Sequence, residues 1–262
     1  MTKLTISLGQ TTPYVGQPEA NFAVIREWSA EAALLGSDMV IFPELWSTGG
    51  DLANWDRHST TIRDGIFARV ANLASELGIA IGGSTLERNN ERTYNTFTLF
   101  GKRGEQLAVY RKLHLFALMQ EDKWLTAGDT PVLIDAPWGR TGLAICYDIR
   151  FAELFRHYAI SGAALVLIPA MWPASRSQHW KILLRARAIE NQMFIAAVNV
   201  TGKIETEVFE GSSSVIDPYG KELLIADNKP ALLTTEIDMN EVVTARAQMP
   251  VLADMRPDIY SL

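Results

Sequence analysis

The stretch Thr141-Gly142-Leu143-Ala144-Ile145-Cys146-Tyr147-Asp148-Ile149-Arg150-Phe151-Ala152-Glu153-Leu154 changes pattern halfway along. Thr141 to Cys146 is a short apolar run and reads as a buried strand. Polar Tyr147, Asp148 and Arg150 interrupt it, and a helical stretch follows from Phe151 to Ile160. Downstream the alternation repeats: a strand at Leu165 to Ile168 ended by Pro169, a helix over Ser175 to Gln192, and a strand at Phe194 to Val200. Upstream it holds too. Leu4, Ile6 and Leu8 alternate with Thr5 and Ser7 as a half-buried strand, Ala20 to Leu35 is helical, and Met39 to Phe42 is a buried strand stopped by Pro43. Ile62 to Leu77 is helical again. Strands alternating with helices place the chain in the α/β class. Strands also follow one another with no helix between them: Ile79 to Ser84, Thr93 to Phe100 and Leu107 to Tyr110, then Ser212 to Ile216 and Leu232 to Ile237 after Phe194 to Val200. A purely parallel sheet cannot do that, so a mixed sheet, or two sheets, is expected. Asn240 to Gln248 reads as a last helix.

The 262 residues are 48% hydrophobic and 21% charged, a globular composition that excludes a disordered chain. Twenty-four basic against thirty acidic residues leave a net charge of -6, which disfavours nucleic acid and anionic membranes as partners. No apolar stretch approaches the ~20 residues of a membrane helix, and Met1 to Gln10 lacks the pattern of a secretory signal. One cysteine permits no intrachain disulfide, which suits a reducing compartment; a cytoplasmic protein is expected. No linker or short-period repeat divides the chain, so a single domain over residues 1–262 is expected. The tail from Met249 to Leu262 holds Pro250, Val251, Leu252, Pro257 and Tyr260, and is expected to dock, on a partner subunit for instance.

Several chemistries are unsupported. There is no Gly-x-Ser-x-Gly elbow, no Gly-x-Gly-x-x-Gly and no phosphate loop. His58, His114, His157 and His179 are scattered, so no metal site is expected. Cys146 by itself reads either as a small buried hydrophobe or, at the carboxyl end of its strand, as a nucleophile whose pKa a helix N-terminus and a cation would lower. Glu44, directly after the strand Met39 to Phe42, reads as a surface or capping carboxylate or as a general base, since burial raises a carboxyl group's pKa. Lys112, past the strand ending at Tyr110, is by itself a solvated charge. Together the three strand ends offer a carboxylate, an ammonium and a thiol.

Phe42-Pro43-Glu44, Arg111-Lys112-Leu113-His114-Leu115-Phe116 and Cys146-Tyr147-Asp148-Ile149-Arg150-Phe151-Ala152-Glu153-Leu154 resemble, in order, the three signature segments of the nitrilase superfamily of carbon–nitrogen hydrolases. The resemblance continues through Trp180 to Gln192, Gly211 to Gly220 and Pro250 to Tyr260. It implies a four-layer α-β-β-α sandwich and dimers that extend it. It also implies Glu44 as general base, Lys112 as stabiliser of the tetrahedral intermediate and Cys146 as nucleophile. Glu121, in Leu118-Met119-Gln120-Glu121-Asp122, best matches the family's second active-site glutamate. Within the superfamily the segments from Cys146 to Glu153 and from Trp172 to Gln192 are most similar to the branch containing omega-amidases and related short bacterial amidases.

The resemblance therefore implies hydrolysis of a small-molecule amide to an acid and ammonia through a thioester, with no cofactor or metal. The backbone N–H of Tyr147 is an expected partner of the carbonyl oxygen. Trp172 reads as pocket or core, and Arg176 as pocket or solvent-facing. Arg150 and Glu153 read as structural ion pairs, Arg185, Arg187 and Glu190 as surface pairs or subunit contacts, and His114 and His179 as hydrogen-bonded structural residues. Nitrile hydrolysis and carbamoyl-amine hydrolysis use the same groups and are the enzymatic alternatives. An inactive binding protein on the same fold is the alternative of another class.

Overall fold

A computed structural model describes residues 3–259. The chain forms two six-stranded sheets, a short hairpin and six helices among these residues. The first half contains β1 (Lys3–Gln10), α1 (Pro18–Leu34), β2 (Met39–Ile41), the short α2 (Trp55–His58), α3 (Gly65–Leu77), β3 (Ala80–Asn89), β4 (Arg92–Phe100) and β5 (Gln106–Arg111). The second contains β6 (Leu133–Ala136), β7 (Gly139–Leu143), α4 (Ala152–Ile160), β8 (Leu165–Ala170), α5 (Ser177–Asn191), β9 (Phe194–Asn199), the hairpin β10 (Thr201–Ile204) and β11 (Glu207–Glu210), β12 (Ser214–Ile216), β13 (Glu222–Ile225), β14 (Ala231–Asp238) and α6 (Asn240–Gln248).

The sheets have the orders β14-β1-β2-β3-β4-β5 and β13-β12-β9-β8-β7-β6. In the first, β1, β2 and β3 are parallel and the outer pairs antiparallel. In the second, β7, β8 and β9 are parallel and the outer pairs antiparallel. The two halves thus repeat one topology, with β14 returning from the second half to close the first sheet.

Alternation along the strands builds the layers. Leu4, Ile6 and Leu8 of β1, with Met39 and Ile41 of β2, share a core with Leu143 of β7 and Leu165 of β8, which packs sheet against sheet. Val40, Phe42 and Ile81 point the other way, onto Phe22 and Ile25 of α1 and Phe67 and Val70 of α3. On the far side Trp180, Leu184 and Ala188 of α5 and Phe155 of α4 cover the second sheet. This is the expected four-layer α-β-β-α sandwich. Burial on both faces explains why Met39 to Phe42 lacks the alternation of β1.

Boundaries differ from the sequence expectation at the decisive stretch. The strand expected over Thr141 to Cys146 is β7 and stops at Leu143, and Cys146 opens a tight helical turn, Cys146–Arg150. An apolar run marks burial, and Ala144 and Ile145 are fully buried past the strand's end, where the Ala144 N–H makes a last bond to the Leu167 carbonyl at 3.1 Å. The tail leaves α6 in turns. Leu252 packs against the shared core, and Gln192 Nε2 donates to the Met249 carbonyl at 2.7 Å. Tyr260 lies outside the described residues. No described helix is long and apolar enough to cross a membrane.

Candidate active site

Three loops at the carboxyl ends of strands meet between the sheets. Glu44 follows β2, Lys112 follows β5 and Cys146 follows β7, and all three are buried. Lys112 is 1% exposed, which an ammonium tolerates only when paired. Its Nζ donates to Glu44 Oε1 at 2.8 Å and to Glu121 Oε1 at 2.7 Å. The Asn95 amide also donates to Glu44 Oε1, at 2.8 Å, and the Met171 N–H to Oε2 at 2.8 Å. Glu121 is placed by a helical turn, Glu121–Lys123, and its Oε2 accepts from the Phe116 N–H at 2.9 Å. Every oxygen of the two carboxylates is thus held, so neither side chain is free to swing.

Electrostatics follows from this packing. Burial works to lower the Lys112 pKa, but Glu44, Glu121 and the neighbouring Cys146 overcome it and hold the ammonium well above the usual lysine range. Burial raises the Glu121 carboxyl; Lys112 opposes this and Glu44 reinforces it. The Cys146 thiol lies in the field of Glu44, Lys112 and Glu121. Its pKa was expected to be lowered; instead burial first, and then the Glu44 charge, push it well above the usual thiol range against the pull of Lys112. The reason is stoichiometric: one cation already serves two carboxylates, so little of its field is left for a thiolate.

Cys146 has φ +47°, left-handed backbone that a β-carbon makes costly. It borders a cavity with Phe116, Met119, Glu121, Tyr147, Arg150, Met171, Trp172, Pro173 and Arg176. The free space there is about 20 Å³, room for about one water. A second cavity of about 280 Å³ is bordered by Glu44, Leu45, Asp51, Trp124 and Phe209 and shares Met119, Glu121 and Met171 with the first.

The structure brings all seven sequence candidates, Glu44, Lys112, Glu121, Cys146, Tyr147, Trp172 and Arg176, to this place. Trp172 is both buried and at the cavity; its indole donates to the Arg176 carbonyl at 2.8 Å. Arg176 lays its guanidinium 5.4 Å from the centre of the Phe116 ring. Arg150 corrects the expectation of a structural ion pair. It borders the cavity, 4.6 Å from the Trp172 ring centre and 5.9 Å from that of Tyr147, with no carboxylate partner among the described residues. Glu153 borders a different cavity, with Ala152, Arg156 and Glu190. Arg187 is buried rather than superficial and donates to the Ile149 carbonyl at 2.9 Å, while Arg185 pairs with Glu222 at the surface. His114 is structural as expected, stacked on Phe151 and bonded to Asp148. Asn95, Asp148 and Met171 were not singled out from sequence. Asp148 lies inside a quoted motif, which was the available signal; Asn95 had none.

Comparison with known proteins agrees with this geometry. The chain is 39% identical over 261 residues to a 2-oxoglutaramate amidase of Bacillus subtilis (strain 168), covering 98% of this chain and 100% of that one. It is 34% identical over 242 residues to an omega-amidase of Homo sapiens, covering 88% of each. A solved CN-hydrolase superfamily protein from Xanthomonas campestris, with an arsenic adduct in its active site, superposes with a TM-score of 0.89 at 30% identity over 98% of both chains. A variant of the amidase from Nesterenkonia sp. AN1, carrying the acetamide moiety of fluoroacetamide on its active-site cysteine, superposes with a TM-score of 0.87 at 28% identity, covering 98% of this chain and 95% of that one. The carbon-nitrogen hydrolase family model matches residues 5–247. With fold, strand-end chemistry and relatives in agreement, the chain belongs to the carbon-nitrogen hydrolase family.

Proposed function

We propose that the protein hydrolyses a small carboxamide to a carboxylic acid and ammonia through a thioester on Cys146. The observation that carries this reading is the buried chain Glu44–Lys112–Glu121 set against the only thiol. Because that thiol rests neutral, Glu44 takes its proton as the sulfur attacks the amide carbonyl. Negative charge grows on the carbonyl oxygen, and the Lys112 ammonium with the Tyr147 N–H receives it; one such donor is worth ~3 kcal/mol of barrier. Glu44 passes the proton to the departing ammonia. Water arriving through the wider cavity beside Glu44 and Glu121 is then activated by Glu44 and releases the acid. Glu121 holds Lys112 in place throughout. None of these steps calls for a metal or an organic cofactor.

The acyl group we assign is that of a dicarboxylic acid bearing its amide at one end. Arg150 and Arg176 border the nucleophile's cavity on aromatic faces, with no carboxylate partner among the described residues, and an arginine fork suits the distal carboxylate. The names of the relatives, 2-oxoglutaramate amidase and omega-amidase, support the same class. The small free space beside Cys146 means that Met119 and Arg176 give way as substrate enters. We further place the enzyme in the cytoplasm, where a lone thiol stays reduced, as a homodimer with the tail after Met249 against the partner. Ammonia release from short aliphatic amides, dicarboxylate monoamides and nitriles tests the reading. Monoamides are expected to give the highest kcat/KM, with an acyl adduct on Cys146 by mass spectrometry. Silence on every amide, or full turnover by Cys146→Ala, would overturn it.

A further inference from the structure

Asp148 is fully buried two residues past Cys146, and the reaction above gives it no task. Its carboxylate accepts four hydrogen bonds from two directions. Oδ2 takes the Ile145 N–H at 2.8 Å and the Tyr110 hydroxyl at 2.8 Å. Oδ1 takes the His114 N–H at 3.0 Å and faces His114 Nδ1 at 2.8 Å. Tyr110 and His114 flank Lys112 two residues on either side, and Ile145 directly precedes Cys146. One carboxylate therefore spans the segment that carries the ammonium and the turn that carries the sulfur. Those segments come from different sheets, β5 ending the first and β7 lying in the second, so no strand ladder fixes their separation.

The elbow also needs a holder. Cys146 sits in left-handed backbone, and such strain persists only where the surroundings over-determine it. Asp148 reaches back to the N–H of Ile145, the acidic half of a capping box, and locks the first residue of the turn. The His114 ring that bonds it is itself fixed by stacking on Phe151, with ring centres 3.5 Å apart. We propose that Asp148 is a positioning residue that sets the separation of Lys112 Nζ and Cys146 Sγ, and through it the rate of thioester formation. This rests on the amidase reading of Glu44, Lys112 and Cys146.

Asp148→Asn keeps the shape but turns one oxygen into a donor. Whichever way the amide lies, the N–H of Ile145 or of His114 then meets another donor. Two reactions of Cys146 separate positioning from plain stability. Single-turnover acylation by succinamic acid needs sulfur and ammonium aligned on one carbonyl. Disulfide formation with methyl methanethiosulfonate needs the sulfur and loss of its proton, but no carbonyl held between sulfur and ammonium. The expected result for Asp148→Asn is acylation slowed about 30- to 100-fold, as sub-ångström misplacement of reacting groups predicts. KM and the thiosulfonate rate are expected to stay within about threefold of wild type. Tyr110→Phe removes one of the four contacts and is expected to slow acylation about 3- to 10-fold with the same selectivity; it decides the matter should the asparagine variant not fold. Acylation within about twofold of wild type, or an equal fall in both reactions, overturns the proposal. Wild type that releases no ammonia from any amide overturns the amidase reading and this proposal with it, whereas an active wild type with an equally fast Asp148→Asn overturns this proposal alone.

Discussion

At the scale of single residues the state of the Cys146 sulfur decides how the reaction begins. Burial and the Glu44 charge hold the thiol well above its ordinary pKa, so below that raised value the proton stays on sulfur. Alkylation of the free enzyme by iodoacetamide should therefore climb steadily with pH across about 6 to 9, without the neutral plateau of a thiolate–ammonium pair; a flat profile there would refute the neutral-thiol start. Lys112→Met makes a second test. It removes the one cation between Glu44 and Glu121 and leaves two buried carboxylates facing each other. The expected cost is about 3–5 kcal/mol in urea unfolding and about a thousandfold in kcat; stability loss without the rate loss would remove Lys112 from the chemistry. Glu44, Lys112 and Cys146 were legible in the sequence because each follows a strand within a recognisable segment. Asn95 was not, because a polar residue inside a strand gives no sign of which loop will lie across it. Arg150 was misread because a charge in a turn gives no sign of whether a carboxylate or an aromatic face will lie beside it.

The elements were legible where apolar periodicity is strong and obscure where strands are short and at an edge. The parallel core strands β1, β2, β8 and β9 were all expected. The strands β6, β10, β11 and β13, each four residues long, were not, since none carries enough alternation to stand out from a loop. The loop after β5 shows why such unmarked stretches matter to the site. Gly128 donates its N–H to the Lys112 carbonyl at 2.8 Å, and a β-carbon there would lie 2.3 Å from the Arg111 carbonyl oxygen. Only a glycine lets the returning loop clamp the lysine's backbone this closely. Gly128→Ala should cost about 1–3 kcal/mol in thermal or chemical unfolding. Because the backbone beside Lys112 must then shift, kcat should drop as well while KM holds. An alanine variant with unchanged stability and turnover would show that this loop does not support the site.

At the scale of the whole molecule, the repeat of one topology in both halves places the groups of the candidate site. In each sheet the parallel strands end on the same side, so Glu44 after β2, the Met171 N–H after β8 and Cys146 after β7 converge where the sheets face each other. The same layering leaves the outer side of the second helix layer uncovered. Ile182 and Ile189 on α5 and Ile225 on β13 are 61%, 48% and 49% exposed. Met249 and Ile259 of the tail are also exposed, at 64% and 70%. A second copy set against this layer would extend the sandwich and remove that surface from water, at roughly 25 cal/mol per Å² buried. Sedimentation velocity is therefore expected to give twice the chain mass. Ile182→Glu combined with Ile189→Glu should shift the equilibrium to single chains by putting two charges into the contact. Neither residue borders the two cavities of the candidate site, so the thiosulfonate reaction of Cys146 is expected to survive in the separated chains. Wild type sedimenting as a single chain at micromolar concentration would refute this mode of assembly, whatever the enzyme's activity.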